Sequence, residues 1–185
     1  MRSRNLRITS LVCAAASLVV LMATPAVAQE WTTGAPPGDD RKDVIGWIAN
    51  DDGHILLMRW KEEKKVFWIF AELKLGNGKK FGTSVPGFQV DPRREIELDW
   101  QIGYGERHKK TLAEVKDTVA YWTMWWSKEK EISDGMMIGQ WLDGHETLII
   151  FALADGTVGN TRFQLAGLKD IIPQVSGITI EEEED

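Results

Sequence analysis

Cys13 is the only thiol in the chain, so no internal disulfide and no paired-thiolate metal site are available to it. Positive charge is also short: 22 Lys and Arg stand against 28 Asp and Glu, a formal charge of −6. Nucleic acid and anionic lipid both require clustered basic side chains, and this balance argues against either as a partner. No apolar run reaches the roughly 20 residues that a spanning helix requires. The three histidines, His54, His108 and His145, show neither H-x-x-H nor H-E-x-x-H spacing. What remains is an ordinary globular composition, 43% hydrophobic and 27% charged, in a chain of 185 residues. That length suits one domain better than two.

Arg2, Arg4 and Arg7 precede an apolar stretch from Leu11 to Met22, and Ala26-Val27-Ala28 then supplies the small-x-small pattern of a signal-peptidase site. Residues 1–28 are therefore predicted to be a cleaved signal peptide, and the mature protein is expected to be periplasmic or secreted. A lipobox reading of Cys13 fails on Ser10-Leu11-Val12 and on the short apolar run before it. Cleavage removes three arginines and the cysteine, which takes the formal charge from −6 to −9 over the remaining 157 residues. The core must then supply stability alone, in a compartment where other small domains use disulfides. No transmembrane segment is expected after cleavage.

Residues 29–42, with Gly34, Pro36, Pro37 and Gly38, read as a flexible lead-in in which Trp31 either docks on the domain or hangs free. At the other end residues 177–185 close on a block of five acids, Glu181 to Asp185, and read as a solvated, disordered tail. Between them, residues 43–176 are expected to form a single domain of strands and tight turns. Val44 to Ile48 and His54 to Trp60 make a hairpin across Asp51-Asp52-Gly53, with Lys61 to Lys65 as the next turn. Val66 to Leu75 follows. Asn77-Gly78 then favours a type I′ turn, from which Lys79 to Val85 returns. Glu95 to Ile102 alternates acids with Ile96, Leu98, Trp100 and Ile102 and reads as a half-buried strand.

Residues 107–118 read as a short helix or a long loop. In Val119 to Trp126, plain alternation puts Tyr121, Thr123 and Trp125 on one face and Ala120, Trp122, Met124 and Trp126 on the other. Ser133 is a candidate cap for a helix through Trp141. Glu146 to Leu153 and Val158 to Leu165 form a terminal hairpin, followed by one or two helical turns stopped by Pro173. About eight antiparallel strands with two short helices near the C-terminus make a mainly β protein, a β-sandwich in preference to a barrel.

The stretch from Asp134 through Gly144-His145-Glu146-Thr147-Leu148 to Asp155-Gly156-Thr157, then Arg162-Phe163-Gln164-Leu165-Ala166-Gly167-Leu168, resembles the C-terminal part of invasion-associated locus B (IalB) family proteins. Those run helix, Gly-x-x-Leu strand, Asp-Gly hairpin and a closing Phe-x-Leu-x-Gly. The rest of the chain matches by order of elements. The resemblance implies a periplasmic or secreted β-sandwich, linked in some members to host-cell invasion and without an established enzymatic role. Family members carry cysteines near the first strands and before the penultimate helix, and the mature chain lacks them; Tyr121, Trp122, Trp125 and Trp126 stand in the later region.

No residue pattern singles out a catalytic, metal or cofactor site. His54 and His145 each follow an Asp-Gly pair and read as turn residues in preference to metal ligands. Ser84 lacks the G-x-S-x-G elbow, and Glu95, Glu97 and Asp99 read as a solvated strand face. Nine tryptophans, all after residue 28, are the unusual feature. Most are expected in the core, each needing an N–H partner. Trp100, Trp122, Trp125 and Trp126 are the candidates for a partner or ligand surface, with Trp125 first. The sequence therefore predicts an exported, non-enzymatic interaction protein with a protein partner. The alternative is a carrier of a small apolar ligand or sugar in a pocket lined by Trp122, Trp126 and Trp100.

Overall fold

The computed structural model describes residues 29–91, 96–97, 113–132 and 137–181. Twelve strand segments appear among them, and the eight of four residues or more carry the architecture: β2 (Val44–Ala49), β3 (Ile55–Glu63), β4 (Val66–Lys74), β5 (Gly87–Val90), β7 (Ala113–Lys116), β8 (Val119–Ser127), β10 (Glu146–Ala152) and β11 (Val158–Gln164). The short segments are β1 (Thr32–Thr33), β6 (Ile96–Glu97), β9 (Glu131–Ile132) and β12 (Thr179–Ile180). One sheet runs β1-β2-β3-β4-β8-β7, a second runs β11-β10-β5-β6, and β12 pairs with β9. All pairs except β9–β12 are antiparallel. The expected mainly β, antiparallel sandwich is what forms.

The alternating apolar residues of the six-stranded sheet explain the packing. Leu56, Met58, Ile69, Ala71, Leu73, Ala120 and Trp122 point inward and are essentially excluded from water. Against them lie Phe88 of β5, Ile149 and Phe151 of β10 and Phe163 of β11. Two helices complete the second layer, α1 (Met137–Asp143) and α2 (Leu168–Ser176). Trp141 of α1 meets Phe88 edge-on at 5.4 Å and Trp122 at 6.3 Å. α2 packs on β2 at Gly46, where a Cβ would come within 2.6 Å of Ile171 Cδ1.

Several expected elements are placed differently. β3 runs to Glu63, and the turn is reduced to Lys64-Lys65, whose φ of 53° and 60° give the left-handed pair of a two-residue hairpin. Asn77 and Gly78 are both left-handed, but Lys79 to Val85 does not return beside β4, because β3 and β8 already occupy both its edges. The chain crosses instead to the second sheet, where Phe81 bridges Leu153. Residues 113–116 are strand, paired with β8 across Asp117. Pro173 sits inside α2, which continues because Ser176 Oγ donates to Ile172 O and the Gly177 N–H to Pro173 O. Ser133, and Glu95 to Ile102 apart from the backbone of β6, lie outside the described residues.

Both termini are tied in further than composition suggests. The lead-in contributes β1, buries Pro36, and Trp31 docks by donating its indole N–H to Gln164 O at 3.0 Å. Residues 177–181 also belong to the domain, with Ile178 fully buried and β12 paired to β9. Residues 182–185 lie outside the described set.

Candidate binding face

β8 decides where the tryptophans point. Ile69 pairs with Trp125 and Phe70 with Thr123, so Met124 is an extra residue, a β-bulge. A one-residue offset reverses the facing of everything beyond it. Trp125 therefore turns inward beside Met124, 2% and 1% exposed, and Trp122 is 1% exposed. Trp126 turns outward. The expectation that Trp125 presents a surface is corrected by this bulge, and Trp122 is likewise a core residue. Trp100 lies outside the described residues.

The bulge also separates the residues proposed for a carrier pocket. Trp122 is paired with Ala71 and Trp126 with Trp68, three positions apart on an unbroken β4, so the two indoles lie on opposite faces of the sheet. Trp122 donates to the Met124 sulfur at 3.0 Å inside the core. A shallow groove of about 710 Å³ lies between α2 and β12, lined by residues such as Lys169, Pro173 and Ile180, and holds no tryptophan.

On the outer face the cross-strand rows read as follows. Lys61, Trp68 and Trp126 are opposite one another, and the next row holds Val44, Arg59, Phe70 and Thr123. Trp68 stacks on Phe70 with centroids 6.0 Å apart and planes 8° from parallel, and lies 6.0 Å from Trp126 at 34°. All three rings are half-buried. Facing residues on adjacent strands are close enough for such side chains to interact.

The neighbouring part is clamped. The third row is Trp47, Leu57, Glu72, Tyr121 and Glu114. Leu57 is fully buried and Glu72 is 4% exposed although both point away from the core. From β1 the chain crosses β2 and β3 to bring Arg41 onto Glu72, donating from Nη1 and Nη2 at 2.8 and 2.9 Å. Arg59 Nη1 donates to the same carboxylate at 2.9 Å. Arg41 Nε also donates to both oxygens of Asp39 at 2.9 Å, and Arg59 Nε to Asp43 at 3.2 Å. Glu72 is thus a buried carboxylate compensated by the Arg41 fork and a single bond from Arg59, the pairing a desolvated charge needs. Hydrogen bonding to Arg41 holds the Asp39 carboxyl down at about 2 and raises Arg41 itself. Tyr121 donates to Glu114, and that bond, helped by burial, pushes the phenol up to about 12.

The histidines do not converge on a ligand. His54 is 1% exposed, its Nδ1 accepts the Gly76 N–H at 2.9 Å, and its ring meets Phe151 edge-on at 6.1 Å. Burial, with Lys79 nearby, pushes its pKa below the ordinary value. His145 lies at the start of β10, where its backbone N–H reaches Asp91. His108 lies outside the described residues, and among the described residues no three potential metal ligands gather. Ser84 sits exposed in the crossover.

The sequence reading missed the Glu72 cluster and the outward Trp68–Phe70 stack. A glutamate inside the apolar run Val66 to Leu75 was the available signal for the first. For the second, the signal was Trp68 and Phe70 at alternate positions of β4, two residues apart and so on one face. No family model, no curated protein and no solved structure matches the chain.

Proposed function

We propose that this is an exported, non-enzymatic binding protein of the kind the IalB resemblance implies, acting in the periplasm or at the cell surface. Its partner is a protein or a small apolar ligand that docks on the outer face of the six-stranded sheet, at Trp68, Phe70 and Trp126. The observation that carries this reading is the stacked row itself: three large rings, half-buried, turned away from a core that already holds Trp122, Trp125 and Trp141. Large aromatic side chains are enriched at binding surfaces and supply much of their contact energy. A surface platform of this sort replaces the Trp-lined pocket, because Trp122 and Trp126 face opposite ways.

The test is site-specific photocross-linking in the cells that make the protein. A photoreactive phenylalanine analogue is placed at Trp126, at Phe70, or at Trp122 as an internal control. The expected result is a discrete adduct in the periplasmic or secreted fraction from positions 126 and 70 and none from 122. Absence of any adduct from 126 and 70, or retention of the chain in the cytoplasm with residues 1–28 uncleaved, would sink the proposal.

A further inference from the structure

β11 is the longest edge strand among the described residues, and its edge is only half closed. Leu153 N–H bonds Thr157 O and Leu165 N–H bonds His145 O, which places the odd-numbered backbone groups of β11 on the β10 side. The even-numbered groups, of Val158, Asn160, Arg162 and Gln164, therefore point away from the sheet. At the C-terminal end they are occupied. Gln164 O accepts from Trp31, Gln164 N–H donates to Gln29 Oε1 at 3.4 Å, and Arg162 O accepts from Asn50 Nδ2 at 3.3 Å. The N–H and C=O of Val158 and Asn160 and the N–H of Arg162 have no protein partner among the described residues.

The usual protections are missing from this stretch. Edge strands are normally blunted by lysine, proline, a bulge or a covering segment. Val158-Gly159-Asn160-Thr161 has none of the first three, and its register with β10 is unbroken from Ala152↔Val158 to Glu146↔Gln164. Val158 is also 73% exposed, the one large hydrophobic side chain so exposed among the described residues.

We infer that β11 is a pairing edge for a second copy of this chain, joined antiparallel about a two-fold axis at Asn160. The open positions centre on that residue, and one register reaches all of them, with the Arg162 carbonyl taking a second bond beside the one from Asn50. Asn160 exchanges both backbone bonds with Asn160 of the other copy, and Val158 exchanges its bonds with Arg162. No like charges face each other, since each Arg162 lies opposite a valine and is already ion-paired with Glu146 of its own chain. The second copy extends the four-stranded sheet across the axis and covers Val158 with the Arg162 stem. A contact limited to one strand edge falls in the small, transient class of interfaces.

Sedimentation velocity on residues 29–185, from about 5 µM to 1 mM, tests this directly. The expected result is a concentration-dependent dimer with a dissociation constant on the order of 100 µM, typical of small interfaces. Asn160→Pro deletes an outward N–H without touching the β10 ladder, and Val158→Lys puts a charge on the exposed edge. Each is expected to weaken the dimer at least roughly tenfold, the effect of losing one good contact, while the thermal midpoint of the monomer is retained. A monomer throughout this range overturns the inference. So does a dimer unaffected by Val158→Lys, the variant that leaves the backbone intact, and so does a chain that stays monomeric yet adds a foreign extended peptide at β11.

Discussion

Glu72 is the residue whose loss should report most clearly on how the N-terminal segment is held. Its carboxylate is 4% exposed and takes three guanidinium bonds, two from Arg41 and one from Arg59. Glu72→Gln keeps the shape and removes the charge, leaving both arginines facing a neutral amide. Breaking a fully buried pair costs about 3–5 kcal/mol. Here the two arginine side chains are 33% and 27% exposed, so water compensates part of the loss. The expected cost is about 1–3 kcal/mol after that discount. For a chain of this size that lowers the thermal midpoint by roughly 2–4 °C per kcal/mol.

The cost should be local as well as global. Arg41 and Lys42 are trypsin sites in the clamped segment, and cutting there requires that segment to lift from the sheet. Trypsin digestion of residues 29–185 is therefore expected to cleave Glu72→Gln at Arg41 and Lys42 well before the wild type, with the core fragment surviving. In urea titrations, the Arg41→Ala and Glu72→Gln effects should fall short of additivity when combined, because each removes the same contact. The reasoning is refuted if Glu72→Gln changes stability by under about 0.5 kcal/mol, the range of an ordinary surface substitution, and leaves tryptic cleavage at Arg41 and Lys42 unchanged.

Other outcomes follow from single contacts. In Gly76→Ala the new Cβ would lie 2.1 Å from Gly53 O, so the two turns must part and urea denaturation should show a loss of about 2–3 kcal/mol. Replacing Lys64-Lys65 by Asn-Gly puts residues suited to positive φ where both lysines are left-handed, and should raise stability by about 1 kcal/mol in the same assay. His54 must be neutral for Nδ1 to accept the Gly76 N–H, and its folded pKa lies below the 6.5 of the free side chain. The unfolded chain then takes up the proton first, so this contribution is complete above pH 6.5 and declines as pH falls from there toward the folded value. Stability measured from pH 8 to 5 should show that decline, and His54→Gln should flatten it.

How far the fold could be read depended on how local its causes are. The β10–β11 hairpin was legible because two strand-forming runs flank Asp155-Gly156, and they pair in an unbroken register. β7 was not, since four residues around Val115 become strand only by pairing with β8. Lys79 to Val85 was misplaced because the position beside β4 goes to β8, more than forty residues later in the chain. The same long-range pairing inserts the bulge at Met124, and nothing in Tyr-Trp-Thr-Met-Trp-Trp announces it. Trp125 was therefore placed first for an outward face, whereas the bulge turns it inward and leaves Trp126, also a candidate, outward. The Arg41–Glu72–Arg59 cluster joins three distant segments, and only the glutamate's position in an apolar strand hinted at it.

The facing of β8 beyond Met124 is the point on which the binding face depends. Fluorine NMR of residues 29–185 labelled with 5-fluorotryptophan reads it, with each resonance assigned by its Trp→Phe variant and solvent contact taken from the shift between H2O and D2O. The account requires a solvent isotope shift for Trp126 and Trp68 and essentially none for Trp125 and Trp122. A full shift at Trp125 with none at Trp126, as unbroken alternation along the strand demands, would contradict it.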